Sequence, residues 1–134
     1  MNVDATDETP AEGPSPELLD LAHQMFDLAR EGDATRLGAY VEAGVPVDLT
    51  DASGNTLLML AAYHGHVATV QTLVGAGADV NRLNDRGQSP LAGAVFKGED
   101  YVVSVLIGSG ADPDAGSPTA RATARMFGKE GLFS

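Results

Sequence analysis

The chain has no cysteine, and this absence excludes a disulfide framework, a thiolate metal site and a cysteine nucleophile together. It also lacks any run near the roughly 18 apolar residues that a membrane-spanning helix needs. The opening residues, Met1-Asn2-Val3-Asp4-Ala5-Thr6-Asp7-Glu8, lack the basic start and apolar core of a signal peptide. The expectation is a soluble, cytoplasmic protein. Positive charge is scarce and unevenly placed. Residues 1–81 hold 13 acidic side chains against Arg30 and Arg36 alone, whereas residues 82–134 hold six acids and six bases. The whole formal net charge of −11 therefore lies in the first part. Such a field repels phosphate backbones, whose binding needs Lys and Arg to displace counterions, so nucleic acid and anionic membranes are poor partners. A basic protein surface would be steered towards it.

What the chain does have is an internal repeat. Asp51–Leu83 and Asn84–Gly116 can be laid over one another without a gap, Asp51 on Asn84 and Leu83 on Gly116. In the first, Gly54-Asn55-Thr56-Leu57-Leu58 opens an apolar stretch, Ala61-Ala62 precedes Gly65-His66, and Gly77-Ala78-Asp79-Val80-Asn81 closes the unit. The second answers with Gly87-Gln88-Ser89-Pro90-Leu91, Ala94-Val95, Gly98-Glu99 and Gly110-Ala111-Asp112-Pro113-Asp114. Thr56 and Ser89 read as N-caps of inner helices, with Pro90 suited to the first helical position. Gly65 and Gly98 let the chain double back. Outer helices are then predicted from about Val67 to Val74 and Asp100 to Ile107, burying Val70, Leu73, Val103 and Leu106, until Gly77 and Gly110 stop them.

A divergent unit precedes these. Residues 1–14 are acidic, rich in Pro, Thr and Ala and without apolar periodicity, which reads as a disordered tail. Order should begin at Ser15-Pro16-Glu17, from which Leu18, Leu21, Ala22, Met25, Leu28 and Ala29 recur at helical spacing up to Gly32. Asp33 can cap a second helix carrying Leu37, Tyr40 and Val41, ended by Gly44. Leu21 stands where Gly54 would make the tight turn, so the first helix should be longer. At the other end, Thr119 aligns with Thr56 when counted back from Gly128 through a shorter turn. Only Lys129–Ser134 follow, too few for an outer helix, so Leu132 and Phe133 would cover the flank of the preceding outer helix only in part.

A period of about 33 residues built from two helices and a projecting turn resembles the ankyrin-repeat family. Ser89-Pro90-Leu91 and Gly77-Ala78-Asp79-Val80-Asn81 are the most specific fragments. The fold implied is an all-α solenoid over residues 15–134. It comprises a cap repeat (15–50), repeats 51–83 and 84–116, and a truncated cap (117–134). Leu57 for Pro, Met59 and Ala92 for the usual His, and Val45-Pro46 for Ala-Asp depart from the family pattern within the scaffold. Each unit is too small to bury its own apolar face, so stability comes from stacking.

Catalysis finds no support. No strand-turn-helix elbow frames any serine. His66 occupies the position that the family pattern usually fills with His, where a structural hydrogen bond at a helix start is expected, and His23 sits among apolar residues. His64 and His66 are too few for a defined metal site. The Gly75/Gly77 and Gly108/Gly110 pairs lack the third glycine, strand and Gly-Lys-Ser/Thr run of a nucleotide loop. Asp20, Asp27, Glu31, Asp33 and Glu42 read as solvated helix faces. No cofactor and no metal is expected.

The resemblance implies a concave face, formed by inner helices and turn tips, that grips a partner protein. The two residues before each break glycine point into it: Arg30-Glu31, Tyr63-His64, Phe96-Lys97 and Met126-Phe127. Tyr63, Phe96 and Met126 should form a ladder with His64, Lys97 and Phe127 beside it, and large aromatics are common binding anchors. The competing expectation is that these rings fill gaps between inner helices. The turn tips extend the candidate surface through Ala52, Ser53, Asn55, Asp85, Arg86 and Gln88. The expected function is non-catalytic protein binding by an adaptor or regulator. The alternatives are a dedicated inhibitor or immunity protein for a basic enzyme, or an assembly component that self-associates through the C-terminal edge and is otherwise monomeric.

Overall fold

A computed structural model describes residues 15–133, and the segment read as a disordered tail, residues 1–14, lies outside the described residues. Seven α-helices follow in order among them: α1 Pro16–Glu31, α2 Ala34–Glu42, α3 Leu57–Tyr63, α4 Val67–Gly75, α5 Pro90–Lys97, α6 Asp100–Gly108 and α7 Ala120–Met126. A short 3₁₀ helix, Glu130–Phe133, comes last among them.

Each inner helix starts where a short polar side chain can accept a backbone N–H that has no partner within the helix. Ser15 Oγ accepts from Leu18 N at 3.2 Å, Thr56 Oγ1 from Met59 N at 3.1 Å, Ser89 Oγ from Ala92 N at 3.0 Å and Thr119 Oγ1 from Ala122 N at 2.9 Å. Asp33 does the same for α2, accepting from Arg36 N at 3.1 Å. At the opposite ends Gly32, Gly65, Gly98 and Gly128 take φ of 83°, 77°, 73° and 69°. A side chain is strained in that left-handed region, which is why the same residue recurs at each reversal. With no glycine at Leu21 to make a turn, α1 runs for 16 residues where α3 has 7 and α5 has 8. The overhanging first turn leaves Leu18 and Leu19 exposed.

The helices lie in two layers. The inner layer stacks α1 on α3, α3 on α5 and α5 on α7, while the outer layer stacks α2 on α4 and α4 on α6. One continuous core fills the space between them. From the inner layer come Met25, Leu28, Leu57, Leu58, Leu91 and Val95, and from the outer layer Leu37, Val70, Leu73, Val102, Val103 and Leu106. Ala61, Ala62, Ala94, Ala120 and Ala124, all fully buried, keep the inner helices close.

Turns are tied to each other as well as to their own unit. Asp51 Oδ1 accepts from Ser53 N and Asn55 N, and at the matching place in the next unit Asn84 Oδ1 accepts from Arg86 N and Gln88 N. Asn84 Nδ2 then donates to Asn55 Oδ1 and Gln88 Oε1, both at 2.8 Å. Backbone bonds from Asp85 N to Ser53 O and from Ser117 N to Gly87 O continue the line.

His66 makes the structural hydrogen bond expected at a helix start, with a partner outside its own unit. It makes no side-chain cap at the start of α4. Its Nε2 instead lies 2.6 Å from the carbonyl oxygen of Arg30, so it links one unit to the one before. The terminal 3₁₀ helix packs against α7, the inner helix before it, because the chain turns back directly after Gly128. Leu132 remains exposed, and Phe133 is half-buried against the core.

Candidate functional site

The last residues of α1, α3, α5 and α7 face the same way, because each inner helix ends at a glycine in the same register. A groove of about 590 Å³ runs across them. Its lining includes Arg30, Tyr63, His64, Phe96 and Met126 from the ends of the inner helices, Asn55, Asn84, Arg86 and Gln88 from the turns, and Met59, Ala92 and Gly93 from within α3 and α5.

In the last two pairs before the glycines, the second member reaches back to the first member of the preceding pair. Lys97 Nζ lies 4.3 Å from the centroid of the Tyr63 ring, and the Phe127 ring meets Phe96 edge-on at 5.8 Å. Such contacts restrain the rings, which remain partly exposed. Tyr63 also lies beside Gly93, where an added Cβ would come within 3.6 Å of its Cδ1. Exposure rises along the row, from 39% at Tyr63 through 56% at Phe96 to 72% at Met126, over which no later unit reaches among the described residues. Of the remaining aromatic residues, Phe26 is buried, Tyr40 and Phe133 pack on the core, and Tyr101 is 80% exposed on outer helix α6.

His64 meets Tyr63 edge-on at 5.7 Å and stacks on His66 at 6.4 Å. Its pKa is held below the ordinary histidine value, first by partial desolvation and then by the positive charges of Lys97, His66 and Arg30. No group of three or more His, Cys, Asp or Glu side chains suited to a metal occurs among the described residues.

The turn-tip residues divide by the use of their side chains. The Asn55 and Gln88 amides are engaged by Asn84, and the Ser53 backbone is bonded on both sides, to Asp51 and Asp85. Arg86 is exposed, and among the described residues no carboxylate pairs with it or with Lys97. The staggered Lys97–Tyr63 and Phe127–Phe96 contacts were not apparent from the sequence. The polar residues Asp51 and Asn84, which occupy equivalent positions of the two regular units, could have revealed the turn network.

A family model described as ankyrin repeats, in three copies, matches residues 25–117. The chain belongs to the ankyrin-repeat family. The three copies begin within α1, so the matched region includes the divergent first unit as well as the two regular ankyrin units. An ankyrin repeat protein of Pseudomonas aeruginosa is 45% identical over 64 residues, covering 45% of this chain and 37% of the relative. Human ankyrin repeat domain-containing protein 29 is 46% identical over 55 residues, covering 40% of this chain and 18% of the relative. The crystal structure of the human ASB11 ankyrin repeat domain superposes with a TM-score of 0.63 at 31% identity, over 66% of this chain and 40% of that one. The chain thus spans well under half the length of either sequence relative that it matches. Ankyrin repeats are in general protein-interaction modules. Among the described residues no helix is long and apolar enough to cross a membrane.

Proposed function

We propose that this ankyrin protein is a cytoplasmic, non-catalytic adaptor or regulator that holds a partner protein in the groove across its inner helices. The observation that carries the reading is the exposed row Tyr63, Phe96, Met126 and Phe127, set beside Leu57, Leu58, Leu91 and Val95 of α3 and α5, which are almost fully buried. Rings that served packing alone would be covered by the next unit. These are held from behind and left open, which is how aromatic anchors of interfaces are presented. The ankyrin fold supplies the mode of binding, and the partner is set by these side chains.

Affinity capture from the extract of the native cell, at low and at high salt, tests this. The bait is wild type beside a Tyr63→Ala/Phe96→Ala variant whose helicity is checked by circular dichroism. A discrete partner held by wild type and lost from the folded variant supports the groove, whereas equal retention refutes it. A single enzyme, released by salt, would identify the dedicated-inhibitor form of the same function.

A further inference from the structure

The sign of charge in the groove is opposite to that of the molecule. The chain carries −11, yet the ionisable side chains lining the groove are Arg30, His64 and Arg86 against a single acid, Asp51. That acid is already occupied, since its oxygens accept from Ser53 N and Asn55 N at 2.9 Å and from Asn55 Nδ2 at 3.2 Å. Lys97 adds a cation over the Tyr63 ring. Among the described residues, Arg30 is ion-paired to Asp27 on its own helix, and no carboxylate pairs with Arg86 or Lys97. The nearby acids Asp85 and Glu99 do not line the groove, and their carboxylates lie over Gly54 and Gly65. The surface therefore combines exposed rings with positive side chains, Arg86 and Lys97, that no carboxylate pairs with among the described residues. Arg86 stands on the turn side and Lys97 on the side of the helix ends.

We infer that the groove takes an acidic segment of its partner, one that seats an apolar or aromatic side chain against Tyr63 and Phe96 and sets carboxylates against Arg86 and Lys97. The inference rests on the groove being the binding face. The surrounding acidic surface then acts as a filter, because a basic segment is drawn to the outside of the molecule and finds no counter-charge in the groove. Partial desolvation first, and then the neighbouring Lys97 on α5, His66 at the start of α4 and Arg30 on α1, hold the pKa of His64 below the ordinary histidine value. A bound carboxylate opposes the part of that lowering due to the positive neighbours, so His64 takes up a proton more readily in the complex and binding tightens as the pH falls.

The test is selection from a phage-displayed random dodecapeptide library on three baits: wild type, Arg86→Glu/Lys97→Glu and Tyr63→Ala/Phe96→Ala, each confirmed folded. The expected wild-type pool is net acidic with an aromatic or aliphatic residue. Its affinity by fluorescence anisotropy should fall about tenfold or more in Arg86→Glu/Lys97→Glu, and the aromatic double variant should not retain it. A neutral or basic pool that still requires Tyr63 and Phe96 would overturn the acidic-segment inference and leave the groove as the binding face. A pool whose binding survives loss of Tyr63 and Phe96 would overturn both. No enrichment over background, or an acidic pool indifferent to Arg86→Glu/Lys97→Glu, also overturns the inference.

Discussion

The ammonium group of Lys97 lies 4.3 Å from the centroid of the Tyr63 ring, although the two residues belong to successive units. Phe127 stands in the same relation to Phe96. Each repeat thus steadies the ring presented by the repeat before it. Met126, over which no later unit reaches among the described residues, is the most exposed of the row. The row combines fixed position with open surface, the combination that distinguishes an anchor from a filler.

The Lys97 charge can be read out at its neighbour. The pKa of His64 lies below the usual value of about 6.5, and Lys97→Met should raise it. A lowered native-state pKa means that the unfolded chain binds this proton more tightly. The contribution of His64 to stability is therefore intact above about pH 6.5 and declines as the pH falls through the native pKa. Imidazole NMR titration of both proteins checks this, and an unchanged or lowered value in Lys97→Met contradicts it.

His66 joins units through the bond from its ring Nε2 to the Arg30 carbonyl oxygen. A carbonyl only accepts, so Nε2 carries the proton. Removing the ring in His66→Ala leaves that carbonyl without its partner and should destabilise the fold by about 1–2 kcal/mol. Urea unfolding measures the change, and a midpoint equal to wild type would refute the role.

Thr69 is fully buried on α4, and its hydroxyl is without a hydrogen-bond partner. Thr69→Val keeps the shape and removes the unsatisfied group, so stability should rise by about 1 kcal/mol. Thermal and urea unfolding would show the gain, and a loss would mean that the hydroxyl has a use.

Gly116 has φ of 80°, and a Cβ there would meet the Gly87 carbonyl oxygen at 2.6 Å. At Gly77, with φ of 95°, an added Cβ has nothing within 4 Å. Gly116→Ala bears both backbone strain and a collision with the adjacent turn, whereas Gly77→Ala bears strain alone, about 1–2 kcal/mol. The ordering of the two unfolding midpoints is the check.

Much of the scaffold was legible because each boundary is set by a local rule. Thr56, Ser89 and Thr119 are caps, Gly65, Gly98 and Gly128 are reversals, and Leu21 in place of a turn glycine lengthens α1. Tyr63, Phe96 and Met126 could be placed on one face because helix register alone fixes that. The reach of Lys97 back to Tyr63 was not legible, since it depends on the offset between stacked helices, which no spacing within one unit records. The partner of His66 was not legible for the same reason. The position of the histidine identified a hydrogen bond, but the partner, Arg30, lies in the preceding unit. Asn55 and Gln88 were placed on the candidate surface as turn-tip groups, and Asn84 bonds both.

Tyr101, 80% exposed on the outer face, offers a control for the central claim that partners are held through the inner-helix groove. A photoreactive benzophenone amino acid placed at position 96 or at position 101, irradiated in the native cell, would report which face is occupied. Binding in the groove gives a discrete crosslinked adduct from position 96 and none from position 101. Adducts from position 101 with none from position 96 would contradict it.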